Sequence, residues 1–590
     1  MKILFKKILS LLNKSQKMSM IFLFFLMLIG MLLELLSVGM MIPLITVVMD
    51  PSAIEKYLDS LNFFADKFAI NFISINDILN IPQQTIVAYV VITILIVYAL
   101  KNLFLIFLSL KQANFLKNIQ QEWTINLFKG YLNLPYAFHL KNNSALLMRN
   151  LAEVPKLVHG VDSLIILSTE FLVLMGIVTI LFLSEPFGSI SAIMTLSVAG
   201  GLYYFFTRNM ILSWGNKKLF EMGQIVLHKL QGFGAVKELK ILGRQENFAK
   251  KLAKHNEASL IIERNQKVFS FLSRSWLEMI FILSFSIMLL IMIKSNQDLK
   301  STVPILGLFA AAAFRLIPSF SRILHSFQTL RFNLPSALTV NKELTQTIKK
   351  DFKKNQNGLI SFTQSIKLDN VGHKYEGRNK MILSNVSFEI RFGSFIGFVG
   401  ESGVGKSTLV DIIIGLLKPS NGAVKIDGID IQENLDQWLK KIGYVPQNIY
   451  LTDDTLANNI AFGLNQNEID ENRLKDVINI TNLNKFVDTL PEKLDTKVGE
   501  KGVNLSAGQR QRIGIARALY HQPEIIVFDE ATSNLDLENE SEIMNLVSSF
   551  KGKKTLLVIS HRLSALKNCD KIYQVDEGKV VSAKKNKNLH

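Results

Sequence analysis

The sequence predicts an all-α membrane domain with six transmembrane helices, followed by a soluble α/β domain. Two observations support this order. The chain of 590 residues is 49% hydrophobic, and its mean hydropathy of +0.25 is high for a soluble protein. Long apolar stretches concentrate in residues 1–345, whereas the remainder alternates strand and helix patterns with ordinary polarity. Because this length exceeds one hydrophobic core, we expect a transmembrane domain at 1–345, a linker at 346–357 and an α/β domain at 358–590.

Six apolar stretches are long enough to cross a hydrocarbon core of about 30 Å, which takes about 20 helical residues. The alternative is a set of buried helices in a large soluble protein. The first stretch argues against it, because Glu34 is its only charge. We expect the spans at residues 20–49, 84–113, 162–184, 187–212, 268–294 and 302–335.

The distribution of charge orients these spans. The first 17 residues contain five lysines and no acidic residue, and cytoplasmic loops of membrane proteins carry such an excess of positive charge. We therefore expect a cytoplasmic N-terminus, and six spans return the α/β domain to the cytoplasm. The loop after the first span holds more acidic than basic residues, which suits the outer side.

The net charge of +17 and the single cysteine exclude other classes of protein. The positive excess lies largely on membrane-flanking segments, where anionic lipids and the charge bias of cytoplasmic loops explain it. We therefore expect membrane lipids as partners and no nucleic acid. Cys569, being alone, forms neither an intrachain disulfide nor a Cys-rich metal site.

The α/β domain contains a phosphate-binding loop. Residues 400–408 read GESGVGKST and lie between an apolar strand at 395–399 and a predicted helix. Glycines let backbone N–H groups curl round phosphate oxygens, the lysine supplies a point charge, and the serine hydroxyl suits Mg²⁺. We therefore expect ATP and Mg²⁺ as ligands. The nucleotide-binding residues expected here are Gly400, Ser402, Gly403, Gly405, Lys406, Ser407 and Thr408.

Two acidic residues follow the apolar strand that begins at Ile525. Asp529 is placed to hold Mg²⁺ through water. Glu530 is the candidate general base that orients and polarises the attacking water. Adjacent acids at a strand end are also common by chance, and their position after the motif described next favours the functional interpretation.

The string Leu505-Ser506-Ala507-Gly508-Gln509 resembles the signature of ATP-binding cassette (ABC) ATPases. In that family the signature completes the ATP site of a facing subunit. The resemblance therefore implies an α/β P-loop ABC nucleotide-binding domain and a homodimer, in which Ser506, Gly508 and Gln509 contact the nucleotide. Ala507 departs from the family pattern, which has glycine there, and its Cβ restricts φ and ψ.

The resemblance also assigns roles to isolated residues of the ATPase half. It implies that Tyr375 stacks on adenine and that Gln447 senses Mg²⁺ and contacts the membrane domain. It implies that His561 contacts the γ-phosphate in catalysis and that Asp536 communicates across the dimer. An exposed tyrosine at a strand end and a structural histidine are the alternatives for Tyr375 and His561.

A membrane domain followed by an ATPase on one chain resembles the exporter type of ABC transporter. Residues 133–138 fall where such exporters carry a coupling helix that docks on the ATPase, and we expect a second one within residues 232–243. A short amphipathic turn is the alternative for each segment.

Two features bear on the cargo. Apolar residues at 3- and 4-residue spacing predict an external amphipathic helix at 52–68, which lies in the membrane interface or packs on its own spans. Lys101, Arg274, Arg315 and Arg322 lie amid apolar residues of the spans. Charges at membrane depth are expensive and face a cavity or a partner, and arginine suits phosphate oxygens. The alternatives are salt bridges with Glu34, Glu170 or Glu278, or a place in the cytoplasmic stalk or at the lipid interface.

Arg315-Leu316-Ile317-Pro318-Ser319, Tyr375-Glu376-Gly377 and the predicted external helix resemble the bacterial flippases of lipid-linked oligosaccharides. This resemblance implies ATP-driven translocation of a polyprenyl-pyrophosphate-linked oligosaccharide across the bacterial inner membrane, with the basic residues as receptors of the pyrophosphate. Export of a lipid, drug or peptide is the alternative. An ATP-gated channel or regulator, and a soluble-type ABC ATPase acting on DNA or ribosomes, are more distant ones.

Overall fold

The computed structural model describes most of the chain in two compact units. One contains Met1–Leu134 and Lys141–Asp351, and the other contains Pro135–Leu140 and Phe352–His590. The described residues are 8, 10–40, 83–184, 186–294, 299–349, 361–377, 380–499, 505–533 and 535–583. The external helix expected at 52–68 lies outside them.

The first unit is helical. Its helices are α1 (Lys14–Gly39), α2 (Gln83–Leu132), α4 (Ser144–Ala152), α5 (Val154–Ser184), α6 (Pro186–Gly234), α7 (Val236–Ile241), α8 (Gln245–Lys294) and α9 (Leu299–Lys349), and α3 (Tyr136–Lys141) belongs mainly to the second unit. The helices α2, α6, α8 and α9 contain 50, 49, 50 and 51 residues. At about 1.5 Å per residue each is about 75 Å long, more than twice the thickness of a hydrocarbon core. They therefore continue well beyond the membrane as stalks.

The described helices include several that meet the length and composition of a membrane span. These are Lys14–Ser37, Val87–Leu132, Ser144–Ile180 and Gln245–Ile287. The spans expected at 187–212 and 302–335 fall within α6 and α9. The chain is thus a multi-pass membrane protein.

Apolar side chains lie on both the inside and the outside of the helical unit. Ile177, Leu196 and Leu277 are fully buried where α5, α6 and α8 meet. Leu103 and Phe206 are 64% and 74% exposed. A soluble protein rarely presents so much apolar surface, whereas lipid or another membrane-embedded subunit covers it at no cost.

Close approach of α6 and α9 depends on a glycine. A Cβ added at Gly215 would lie 2.1 Å from the backbone carbonyl oxygen of Phe332. A glycine at a helix crossing lets the two backbones approach more closely than any larger residue would.

The second unit is an α/β domain with two sheets. Its strands are β1 (Ser365–His373), β2 (Leu383–Arg391), β3 (Phe395–Val399), β4 (Asn421–Ile426), β5 (Ile429–Asp430), β6 (Ile442–Val445), β7 (Ile525–Asp529), β8 (Thr555–Ile559), β9 (Lys571–Asp576) and β10 (Lys579–Ala583). Its helices are α10 (Lys406–Ile413), α11 (Leu435–Leu439), α12 (Leu456–Ile460), α13 (Glu471–Ile480), α14 (Asn484–Thr489), α15 (Ala507–Tyr520), α16 (Leu537–Ser548) and α17 (Leu563–Leu566). A helical domain followed by an α/β domain is the predicted fold class, which is confirmed.

The larger sheet of the second unit has the order β10-β9-β3-β8-β7-β6 and is parallel except at β10. The strands β3, β7 and β8 are almost continuously apolar and buried, as expected for parallel strands covered on both faces. A smaller antiparallel sheet has the order β2-β1-β4-β5.

Replacement of Gly215 by alanine should disrupt the α6–α9 crossing. The added methyl group meets backbone rather than a flexible side chain, so we expect a loss of about 1–3 kcal/mol, the usual range for overpacking. The matched control is Gly201→Ala in the same helix, where a Cβ meets nothing within 4 Å. Thermal unfolding of both variants in detergent measures the difference. Equal melting temperatures would contradict the close packing.

Candidate functional site

The register of the parallel sheet brings three loops to one edge. Phe398 pairs with Ile559, and Ile559 pairs with Asp529. The strands β3, β8 and β7 therefore end at the same level, and their loops leave side by side. These loops carry the phosphate-binding loop, His561 and Glu530. The carboxyl edge of a parallel sheet is the usual ligand site of such folds.

The phosphate-binding loop has backbone angles that favour glycine. Gly400 has φ +156° and its Cβ would lie 2.3 Å from the carbonyl oxygen of Val575, while Gly405 has φ +108° and precedes the first residue of α10. Because α10 starts at Lys406, its N-terminal N–H groups point into the loop, where they favour phosphate. Ser402 and Gly403 lie at the exposed tip of the loop.

Lys406 folds across this loop. Its Nζ donates to the carbonyl oxygens of Gly400 and Glu401 at 2.8 and 2.7 Å, and it lies 3.3 Å from Nε2 of His561. Burial lowers the pKa of Lys406, while the carboxylates of Glu530 and Asp529 oppose that shift. The cation is thus held at the centre of the loop that the sequence predicted.

Asp529 and Ser407, the two residues expected to hold Mg²⁺, lie next to each other. The Ser407 hydroxyl donates to Asp529 Oδ1 at 3.4 Å, and the hydroxyl of Tyr444 donates to Asp529 Oδ2 at 2.9 Å. Burial raises the pKa of Asp529. Among the described residues no group of three His, Cys, Asp or Glu side chains is arranged to hold a metal. The hydroxyl and carboxylate oxygens still fit Mg²⁺, which takes one or two protein ligands and completes its shell with phosphates and water.

Glu530 lies at the centre of a polar cluster and has an unusual backbone. Its φ is +50°, in the left-handed region that non-glycine residues rarely adopt, and such conformations concentrate at functional sites. Its Oε1 lies 2.7 Å from Nε2 of His561, and its Oε2 accepts a hydrogen bond from Nε2 of Gln447 at 3.0 Å. His561 and Gln447, which the sequence predicted separately, therefore both bind the carboxylate of Glu530. Gln447 faces Glu530 rather than Asp529 in this conformation.

Tyr375 lies beside the start of α10. Its hydroxyl is 3.0 Å from Oγ1 of Thr408, and its ring packs edge-on against His373 with centroids 5.1 Å apart. This position adjoins the phosphate-binding loop. Stacking of Tyr375 on adenine remains a prediction.

The signature string forms the start of α15. Ser506 is its N-cap and exchanges two hydrogen bonds with Gln509, which is a capping box. A Cβ at Gly508 would lie 3.4 Å from Oδ1 of Asn539. Ala507 is the first helical residue, and its φ is not positive. The alanine therefore adopts its backbone conformation without strain, which removes the physical objection to it.

Asp536 caps the helix that follows the Glu530 loop. Its Oδ1 accepts a hydrogen bond from Nδ2 of Asn539 at 2.6 Å, and these bonds to Asn539 lower the pKa of its carboxyl. The side chain is exposed, so it is free to meet another molecule.

Several residues of the site were missed from the sequence. Tyr444 holds Asp529, as described above. Burial, reinforced by the charge of Asp529, raises the pKa of Asp411 to about 6. Burial and then Asp411 raise the pKa of Tyr136, which lies in the segment Pro135–Leu140 of this unit. Two of these residues had a local signal, because Tyr444 stands three residues before Gln447 and Tyr136 lies in the segment 133–138 that was expected to contain a coupling helix.

Three of the four basic residues expected within the spans, Lys101, Arg274 and Arg322, have carboxylate partners. Lys101 Nζ lies 3.8 Å from Glu34 Oε1, and both side chains are buried. Two other basic residues singled out from the sequence are also paired: Arg274 Nε lies 2.7 Å from Glu278 Oε1, and Arg322 Nη2 lies 3.2 Å from Glu170 Oε2. These are the salt bridges that sequence analysis left open as an alternative. Arg315 lies in α9, and its side chain is outside the described part of the chain.

Comparison with known proteins finds similarity in the second unit and across most of the chain. Residues 383–533 match the family model of ABC transporters. An ATP-dependent lipid A-core flippase of Coxiella burnetii is 29% identical over 498 residues, which cover 81% of this chain and 82% of the relative. A second such flippase, from Colwellia psychrerythraea, is 32% identical over 371 residues, or 62% and 63% of the two chains.

The fold as a whole matches a solved structure. A bacterial Atm1-family ABC exporter with ATP bound superposes with a TM-score of 0.74, covering 97% of this chain and 95% of that chain at 22% identity. At this identity the likeness shows the fold, which is that of an exporter with fused membrane and ATPase domains.

Replacement of Glu530 by glutamine should nearly abolish hydrolysis while leaving ATP binding intact. Glutamine keeps the hydrogen bonding shape but cannot polarise water, so we expect a rate about 10²–10⁴-fold lower, the range for a lost general base. Steady-state hydrolysis and nucleotide binding by the purified variant measure the two effects. Glu471→Gln, an exposed residue of α13, is the control, and turnover of Glu530→Gln close to wild type would disprove the assignment.

Proposed function

We propose that this chain, an ABC transporter of the exporter type that hydrolyses ATP, uses that energy to flip an anionic, glycan-bearing lipid across the membrane. The observation that carries the ATPase is the convergence of Lys406, Glu530 and His561 at one sheet edge. The cargo is inferred from the relatives and from the basic residues of the spans.

The residues at the sheet edge divide the work of hydrolysis. The phosphate-binding loop and Lys406 bind and orient the phosphates. Ser407 and Asp529, with Gln447 nearby, would hold Mg²⁺, which neutralises charge that develops on the phosphates. Glu530 orients the attacking water and takes up its proton. His561 lies 2.7 Å from Glu530 and positions that carboxylate, and its contact with the γ-phosphate is what the resemblance to ABC ATPases implies.

We infer a homodimer with two equivalent ATP sites. Ser506 caps a helix whose N-terminal N–H groups favour negative charge, and the phosphate-binding loop of a second copy supplies that charge as bound nucleotide. In this arrangement Ser506, Gly508 and Gln509 complete the partner's site, and Asp536 lies beside it. We place the protein in the bacterial inner membrane with its N-terminus and ATPase domain in the cytoplasm, because of the lysines in the first 17 residues.

A polyprenyl-pyrophosphate-linked oligosaccharide is the cargo we favour. Its diphosphate is an anion that Lys101, Arg274, Arg315 and Arg322 are suited to receive. The described carboxylate partners of these cations add a condition to this role. In a medium of low dielectric an unpaired charge is costly, so the cations keep Glu34, Glu278 and Glu170 as partners until a phosphate replaces them.

A glycolipid of the lipid A type is the second candidate. The observation in its favour is that relatives aligned over about four-fifths of the chain bear the name of lipid A-core flippases. Both candidates combine phosphate, sugar and long apolar chains. Stimulation of ATP hydrolysis in proteoliposomes by a polyprenyl-pyrophosphate glycan, a lipid A-core glycolipid, a peptide and a drug separates them. Stimulation by the peptide or drug alone would overturn the glycolipid proposal.

A double substitution should show whether Arg322 binds the phosphate of the cargo or only forms a structural ion pair with Glu170. Arg322→Gln alone leaves Glu170, whose side chain is only 8% exposed, as an unpaired buried charge, which destabilises the fold. Arg322→Gln with Glu170→Gln removes both charges. We expect this variant to fold and hydrolyse ATP at the basal rate, but to lose most of the stimulation by glycolipid.

The control is Glu170→Gln, which keeps the arginine and should keep stimulation. If the double variant is stimulated as strongly as wild type, Arg322 serves only as the partner of Glu170. The proposed role of the cation in transport is then wrong.

The ATP sites should be shared between subunits. We place cysteines by Ser506→Cys and Glu401→Cys in a chain that also carries Cys569→Ser and Glu530→Gln. With ATP we expect a disulfide between two chains, because closure brings the signature of one copy to the loop of the other. Addition of Lys406→Ala should prevent it. If the gels show no crosslinked dimer in the presence of ATP, or only disulfides within one chain, the proposal that two subunits share each ATP site is wrong.

A further inference from the structure

A single arginine joins the loop after Glu530 to the loop of His561. Arg562 Nη1 donates to the carbonyl oxygen of Leu535 at 3.0 Å and to Oε2 of Glu540 at 2.6 Å. Its Nη2 donates to the carbonyl oxygen of Ser533 at 3.0 Å. One planar guanidinium therefore binds two backbone carbonyls of one loop and a carboxylate on α16.

Glu540 makes this attachment firm. The residue is only 2% exposed, and a buried carboxylate is costly unless its oxygens are bonded. Its Oε2 accepts from Arg562, and its Oε1 accepts from the hydroxyl of Ser564 at 3.0 Å. Both donors come from the segment directly after His561, so the charge of Glu540 binds that segment to α16.

The two ends of this link are functional. On one side, the backbone N–H of Arg562 donates to Oγ of Ser560 at 3.0 Å, which restrains the turn that carries His561. On the other side, the bonded carbonyls lie between Glu530, with its left-handed backbone, and Asp536, which is exposed at the start of α16. A shift of the His561 turn is therefore transmitted to the 533–536 loop.

We propose that Arg562 is a positioning residue that couples His561 to the 533–536 loop, and so ties catalysis at one ATP site to the loop that meets the second subunit. The proposal rests on the ATPase and homodimer proposed above. Arginine is required because its fork binds carboxylate and carbonyls together, whereas lysine offers a point charge that binds one group well.

The test is Arg562→Lys in the full-length protein. Lysine keeps a positive charge for Glu540, so the fold is retained, but it loses the fork to the carbonyls of residues 533 and 535. We expect the maximal rate of ATP hydrolysis to fall about tenfold, as for a small misplacement of catalytic groups. The affinity for ATP, measured in the Glu530→Gln background, should change less than about twofold.

Arg512→Lys is the matched control. Arg512 also binds a backbone carbonyl, that of Thr481 at 3.0 Å, and a carboxylate of α16, that of Glu542 at 2.5 Å. It has no contact with the His561 turn among its described hydrogen bonds. We expect this variant to hydrolyse ATP at the wild-type rate.

The outcomes are distinct. An unchanged maximal rate in Arg562→Lys overturns the proposal, and so does a fall in rate that is matched by an equal loss of ATP affinity and melting temperature, since a purely structural role predicts that. An equal fall in Arg512→Lys overturns it as well. If no candidate glycolipid is transported, the proposed cargo fails, but the comparison of hydrolysis rates still decides the role of Arg562.

Discussion

The common level of the ends of β3, β7 and β8 is the constraint on which the rest of the ATPase unit depends. Pairing of Phe398, Ile559 and Asp529 across three parallel strands brings together segments that are separated by 30 to 161 residues in the chain. Lys406, Glu530 and His561 each stand within a few residues of a strand end. Their mutual distances therefore follow from backbone hydrogen bonds of the sheet, and a one-residue slip would destroy the site.

The polar side chains at this edge of the sheet are already hydrogen-bonded to groups of the protein. Lys406 is bonded to two carbonyl oxygens of its own loop, and Glu530 is bonded to His561 and Gln447. In the proposed ATP site, phosphate binding would therefore exchange the hydrogen bonds of Lys406 to its loop carbonyls for bonds to phosphate oxygens. Folding and binding exchange one set of hydrogen bonds for another, so the net cost of such a change is modest.

The membrane unit differs from the ATPase unit in where its apolar residues lie and in how its charges are paired. Its apolar residues face outward as well as inward, and the crossing of α6 and α9 depends on the missing Cβ of Gly215. The charges at Lys101 and Arg322 are tolerated because Glu34 and Glu170 are at hand on neighbouring helices. Each pair spares both of its members the larger cost of a charge buried without a partner.

The sequence by itself determined the order of the domains, the long apolar helices, the phosphate-binding loop and the acids after Ile525. These are local properties, because a glycine-rich turn, a capping box at Ser506 or an apolar run of about 20 residues forms from neighbours in the chain. It did not determine that Tyr444 holds Asp529, that Arg562 binds the loop at 533–535, or which carboxylates pair with Lys101 and Arg322. Those contacts join residues far apart in sequence. Only the register of the sheet and the packing of the helices decided them, since pairing of a side chain depends on distances that no local pattern contains.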